Sequence, residues 1–231
     1  MFSAIAPRTL VLTPLAEEWS MLVRACEERQ STEVLKGLKL PCCYVPAWRM
    51  ALAQGGHGKT QFGVQAQYLI GRFPNVTLLV CAGAAGSLDA DLSVGDVVVG
   101  TETVEHDYRL LFATRPLPRF RGDAASLAIL RRAASHRLGF RVGFDTIASG
   151  DEDVVTSARA AQIRAQTGAV CVAWEGSGEA RAATFNGIGS LEIRGITDAA
   201  DKEAPQDFAR NLPIAMANVF RLIEVLRNSE G

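Results

Sequence analysis

Short runs that are apolar on both faces alternate along this chain with stretches whose apolar residues recur every three or four positions. Residues 9–13 (TLVLT) are the first such run and predict a strand buried on both sides. Pro14 ends it. Leu15, Trp19, Leu22, Val23 and Cys26 follow at helical spacing, with Pro14 suited to the first helical turn and Glu17 and Glu18 near its positive end. Residues 37–46 and 48–54 predict two short strands. The second runs into Gly55-Gly56-His57-Gly58-Lys59-Thr60, a turn whose glycines permit close backbone approach and positive φ. Phe62, Ala66, Leu69, Ile70 and Phe73 then mark one helical face, and Pro74 closes that helix. Residues 77–82 (TLLVCA) predict a buried strand, with Gly83-Ala84-Ala85-Gly86-Ser87 as a second small-residue turn.

The same alternation continues to the C-terminus. Residues 92–96 lead into a strand at 97–99 and on to Glu105-His106-Asp107. Residues 111–123, with Pro116, Pro118 and several arginines, predict an irregular segment. Helices are expected over 125–136, 154–166 and 208–226, and strands over 141–148 and 169–173. Leu191, Ile193 and Gly195 against Glu192 and Arg194 predict a further strand, delivering Arg194, Thr197, Asp198 and Asp201 into a loop. Strand and helix alternating throughout implies an α/β layered architecture around a buried sheet. No repeat, linker or low-complexity stretch divides the chain, so residues 1–231 are expected to form one domain.

Composition narrows the function classes. The chain has 231 residues, 48% of them hydrophobic, and a formal net charge of −1. A near-neutral balance gives no electrostatic footprint for nucleic acid or an acidic membrane surface. The N-terminal stretch has an arginine inside its apolar run and acids soon after, unlike a signal peptide. No apolar run reaches membrane-spanning length. The five cysteines include the adjacent Cys42–Cys43 and two, Cys81 and Cys171, inside apolar runs. That fits reduced, buried thiols in a cytosolic protein better than a disulfide framework. No Cys/His spacing resembles a zinc site.

Acidic residues at strand exits carry the candidate chemistry. A carboxylate leaving a buried strand is costly unless paired, hydrogen-bonded or protonated, which singles out Asp198 as a functional acid. Asp201 reads equally well as a cap of the following helix. Glu17 and Glu18 stand where a buried strand hands over to a helix, the place at which open α/β sheets bind ligands; surface charge suits at least one of them. The glycine-rich turn at 55–60 could cradle an anion, although it is neither a Walker loop nor GxGxxG. His106 beside Asp107 has the composition of a proton relay, or of a simple loop contact.

Seven segments taken in order resemble the purine nucleoside phosphorylase/nucleosidase superfamily. They are TPLAEEW (13–19), GGHGKTQFGVQAQYLI (55–70), CAGAAGSLDADLSVGDVVV (81–99), EHD (105–107), IASGDEDV (147–154), VAWEG (172–176) and RGITDAAD (194–201). Within it they are most similar to the 5′-methylthioadenosine/S-adenosylhomocysteine nucleosidase branch. The resemblance implies a three-layer α/β/α sandwich with a central mixed sheet and a homo-oligomer, a dimer being favoured. It implies Asp198 as the acid that protonates N7 of a purine, and Glu18 as the group orienting or activating water, with Arg194 nearby. It places Glu175 on the ribose hydroxyls, Trp174 beneath the sugar in place of the family's usual Met, and residues 151–154, with Asp153 and Val154, facing the base. Thr197 stands for the family's Ser, Ala84 where a hydroxyl is frequent, and Asp153 where an aromatic covers adenine. The expected ligand is a small-molecule nucleoside, with no metal, organic cofactor, nucleic acid or membrane involved.

The chemistry agrees with those residue types. Cleaving an N-glycosidic bond builds positive charge on the ribose and negative charge on the base, so a proton given to the base helps it leave. A carboxylate near the sugar stabilises the cationic centre. Glu17 and Glu18 at the first strand exit would repel phosphate and suit water. Hydrolysis is therefore expected, with phosphorolysis, a futalosine-type hydrolase or a catalytically weakened nucleoside-binding module as the other readings.

Overall fold

The computed structural model describes residues 5–135 and 138–229. A central sheet is built around two long strands, β5 (Leu78–Ser87) and β10 (Gly189–Asp198), which run parallel. On one side of β5 lie β1 (Thr9–Thr13), β4 (Met50–Gln54), β3 (Cys42–Val45) and β2 (Glu33–Val34), in that order. On the other, β10 is followed by β6 (Val97–Glu105), β8 (Val142–Ser149) and β9 (Cys171–Ala173). β9 returns to pair with the end of β5 through Gly86–Val172 and Ser87–Cys171, so β5, β10, β6, β8 and β9 close into a ring. β7 (Arg119–Arg121) adds to the outer edge of β6.

Two apolar layers explain why the strands read as apolar on both faces. In β5, Val80, Ala82 and Ala84 point to one side, where α1 (Ala16–Glu27), α3 (Ala124–Ala134) and α6 (Ala204–Asn228) pack. Leu79 and Cys81 point to the other, against α2 (Lys59–Arg72) and α5 (Gly176–Asn186). The two-residue period of the strand puts neighbours on opposite faces. The result is the three-layer α/β/α arrangement around a mixed sheet expected above. α4 (Ser157–Thr167) covers β8 separately, through Ala160 and Ile163 against Ala148 and Val172. The five cysteines are all buried and unpaired. No described helix is long and apolar enough to cross a membrane.

Several boundaries differ from the sequence expectation. The small-residue stretch after residue 82 is not a turn but the second half of β5, fully buried to Ser87. Small side chains are what admit the neighbours crowding that strand end. β10 likewise runs on through Arg194, Thr197 and Asp198, which therefore sit on a strand and not in a loop. Pro14 precedes the N-cap Leu15 instead of starting the helix. α4 begins at Ser157, with the Thr156 hydroxyl accepting from Arg159 N–H as its cap. α6 starts near Pro205, which suits a first helical turn, and Phe208 already lies inside it. The helix expected over 125–136 ends at Ala134, and His136 lies outside the described residues.

Candidate active site

Parallel strands that end together leave their last residues around a common crevice. Here β1, β5 and β10 end on one side of it, and β8 and β9 on the other. The cavity between them is about 440 Å³, and Glu18, Glu175, Asp198 and Arg194 all line it. So do Trp174, Ala84, Val154, Thr197 and the exposed Asp153 at its rim. Residues separated by up to 180 positions are thus brought to one place.

Glu18 projects from the first turn of α1 and is 2% exposed. Its Oε1 accepts the Ala84 backbone N–H at 2.8 Å and its Oε2 accepts that of Leu15 at 2.9 Å. Burial pushes its carboxyl up to about 7, working against those two N–H groups and the Arg194 guanidinium, with Glu175 adding to the upward shift. Gly83 makes this approach possible. A Cβ there would stand 2.7 Å from Glu18 Oε1 and 2.9 Å from Arg194 Nη1. Glu17, one residue earlier, is exposed surface charge.

Arg194 is the cation at the centre of the floor, and 1% exposed. Its Nη2 donates to Glu175 Oε2 at 3.2 Å and its Nη1 to the Ala84 carbonyl at 3.3 Å. Neighbouring carboxylates hold it charged despite the burial. Glu175, the N-cap residue of α5, also accepts the Gly58 N–H at 3.2 Å. Asp151 Oδ1 takes the adjacent Lys59 N–H at 2.8 Å. The glycine-rich turn at 55–60 is therefore an anion cradle already filled by the protein's own carboxylates.

At the end of β10, Asp198 Oδ1 accepts the Ala200 N–H at 2.9 Å, and its Oδ2 lies 2.8 Å from Thr197 Oγ1. Burial raises its carboxyl above the ordinary value, as do Asp207 and Asp201, while the Thr197 and Ala200 hydrogen bonds oppose this. The Thr197 hydroxyl is also 3.3 Å from the Ala85 carbonyl. One hydroxyl proton serves one acceptor at a time. With Asp198 ionised, Thr197 donates to it. With Asp198 protonated, Thr197 turns its proton to Ala85 and accepts from the acid.

A sequence profile described as the phosphorylase superfamily matches residues 8–226. The chain belongs to that superfamily. A curated member, the 5′-methylthioadenosine/S-adenosylhomocysteine nucleosidase of Actinobacillus succinogenes, is 33% identical over 175 residues, covering 72% of this chain and 75% of that protein. Among solved structures, the nucleosidase of the same name from Neisseria meningitidis, in complex with methylthio-immucillin-A, superposes with a TM-score of 0.84 at 28% identity, covering 96% of this chain and 99% of that one. The futalosine hydrolase of Helicobacter pylori gives a TM-score of 0.84 at 21% identity over 98% of this chain and 99% of that one, which shows a shared fold.

In this superfamily member the sequence did not single out two further groups, His57 in the cavity wall and Glu192 behind its floor. His57 stacks on Trp174 with ring centroids 4.1 Å apart, and its Nδ1 is 3.6 Å from Glu175 Oε1. Glu192, on the polar side of β10, lies beneath the floor and binds Arg194 Nε at 2.8 Å. Its signal in the sequence is that it shares strand parity with Arg194. His106 and Asp107 do not form a relay. Asp107 binds Lys59 Nζ and the Asp151 N–H, while His106 is packed under Gly150 with neither ring nitrogen hydrogen-bonded. Burial lowers the His106 pKa. Asp201 accepts the Glu203 N–H at 2.9 Å in a local turn ahead of α6, but the N-cap of that helix is Glu203 and has no side-chain cap bond, so Asp201 does not cap it.

Proposed function

We propose that this protein is an N-ribosyl hydrolase that cleaves the glycosidic bond of a purine nucleoside, of the 5′-modified kind named for its curated relatives. The observation that carries this is the meeting of Glu18, Glu175 and Asp198 on one cavity, with two of the three carboxyls pushed upward by burial. The β5 glycines beside Glu18 and Asp198 are Gly83 and Gly86, three residues or about 10 Å apart along an extended strand.

In this assignment Asp198 gives its proton to N7 as the C1′–N9 bond breaks and its electrons pass to the base. Water adds to C1′ and loses its proton to Glu18. Glu175, steadied by Arg194, accepts hydrogen bonds from the ribose hydroxyls and offsets the positive charge growing on the sugar. Trp174 supplies the sugar floor, Ala84 the wall beside the water, and Asp153 and Val154 the edge facing the base. Bound purine would strip water from Asp198 and push its carboxyl further in the protonated direction. Thr197 serves both of its protonation states.

Water is favoured over phosphate as the nucleophile. The two N–H groups that begin α2 are taken by Glu175 and Asp151, and three of the Arg194 donors face Glu192, Glu175 and Ala84. A phosphate would also have to sit against Glu18. The test is free-base release from methylthioadenosine, S-adenosylhomocysteine and futalosine in phosphate-free buffer, with phosphate then added. Release at a rate that added phosphate does not raise is expected. Dependence on phosphate would overturn hydrolysis, and binding without release would leave a binding module.

A further inference from the structure

Beneath the cavity floor lies a carboxylate that the reaction scheme does not use. Glu192 is 2% exposed and does not line the cavity. Its Oε1 accepts Arg194 Nε at 2.8 Å and its Oε2 accepts the Thr103 hydroxyl of β6 at 2.5 Å. The first turn of α5 is pressed against it. A Cβ on Gly176 would fall 2.1 Å from Glu192 Oε2. Gly176 directly follows Glu175, so the helix that presents Glu175 to the cavity is seated on Glu192.

An arginine side chain has one Nε and two terminal nitrogens in a rigid plane. Fixing Nε from one side fixes where Nη1 and Nη2 point on the other. Nη2 meets Glu175 Oε2 and Nη1 meets the Ala84 carbonyl, beside the N–H that holds Glu18. We propose that Glu192 is a positioning residue for bond cleavage: it aims the Arg194 guanidinium so that Glu175 meets the ribose and Glu18 meets the water. This deepens the nucleosidase reading and rests on it.

Charge reinforces the geometry. The groups facing Glu192 are Arg194 of its own strand, Thr103 of β6 and Glu179 of α5, with Cys81 of β5 and Cys171 of β9 close enough to feel its charge. Those influencing Glu18 are Arg194, Glu175 and the N–H groups of Ala84 and Leu15. One guanidinium is thus shared among several acids. In this proposal the negative charge of Glu192 offsets part of the guanidinium's charge at Glu18, so its removal should lower the Glu18 midpoint.

The test uses the full-length protein and two readouts. In the ligand-free state, carboxyl 13C NMR follows Glu18, assigned with Glu18→Gln. Glu192→Gln keeps the shape and removes the charge, and should lower the Glu18 midpoint by about half a pH unit or more. In base release, the same variant should lose about tenfold in kcat with a much smaller change in KM, since the misplaced contacts matter most as charge develops. Thr103→Val loosens Glu192 without removing its charge. It should cost roughly threefold in kcat with the Glu18 midpoint unmoved, and Thr103→Ser should restore the rate. A folded Glu192→Gln with kcat unchanged overturns the proposal, whether or not the Glu18 midpoint moves. If that variant does not fold, the Thr103 pair decides, and a Thr103→Val rate equal to wild type is the overturning result. If the wild type itself releases no base, the nucleosidase reading has failed, while the NMR titration still reports whether Glu192 governs Arg194.

Discussion

Glu18 makes a prediction that needs no substrate. Burial carries its carboxyl from an ordinary 4.5 to about 7. The folded protein therefore binds a proton at pH 6 that the unfolded chain has released. Stability falls with rising pH wherever the folded state holds more protons. The contribution of Glu18 is thus intact below about 4.5, is lost progressively as pH rises toward 7, and is level above that. A displacement from 4.5 to about 7 at about 1.4 kcal/mol per pH unit amounts to roughly 3 kcal/mol. Glu18 is fully buried, so solvent screening does not reduce this much. The assay is urea unfolding of wild type and Glu18→Gln at intervals from pH 4.5 to 8. The glutamine cannot accept from both Ala84 and Leu15, which lowers stability equally at every pH. The pH-dependent part is the difference between the curves, and wild type should lose about 3 kcal/mol relative to the variant across that range. Asp198 and Glu179, also displaced upward, tilt both curves alike and cancel in the difference. Parallel curves would mean that Glu18 titrates as an ordinary surface acid, and the proposed base would lose its physical ground.

Two predictions concern the cavity during turnover. Asp198→Asn keeps a side chain able to accept from Ala200 but has no acidic proton, so kcat should fall by about 10²–10⁴ with KM changed only a few-fold; equal losses in binding and turnover would remove Asp198 from the acid role. Glu175→Gln takes the charge from the ribose contact and should weaken nucleosides while leaving free purine affinity unchanged by calorimetry, and a matching loss for the free base would place Glu175 away from the sugar.

The alternation of apolar runs was enough to read the layers, because a strand covered on both faces has no polar side to show. It was not enough to read strand length. Residues 83–87 of β5 have the composition of a turn, yet they stay extended because they pair with β10 and β9, and Glu18, Arg194 and Asp198 crowding against Gly83 and Gly86 admits only small residues there. The same crowding explains β10, where an arginine and an aspartate end a buried strand. Single-residue polarity argues for a loop there; the strand is tolerable because Arg194 meets Glu192, the Ala84 carbonyl and Glu175 at the start of α5, and Asp198 meets the Thr197 hydroxyl and the Ala200 N–H.

The candidate site was legible to the extent that its acids stand at element boundaries. Glu18 and Asp198 stand at the exits of β1 and β10, which run parallel with β5 into the crevice, whereas Glu175, pointed to only by the family resemblance, follows β9, which meets the end of β5 from the opposite direction. Glu192 gave no such sign, for it lies in mid-strand, two residues before Arg194. A buried carboxylate there is explicable only together with the guanidinium it binds, the Thr103 hydroxyl behind it and the missing side chain of Gly176. None of those three is near it in the sequence except Arg194. Boundary residues announce themselves by breaking a pattern, whereas a supporting residue inside a strand is recognised by the contacts that make its charge tolerable. Glu18 and Glu175, which face the cavity, and Glu192 behind it thus belong to one buried charge network in which Arg194 is the common partner, while Asp198 is held apart by Thr197 and Ala200.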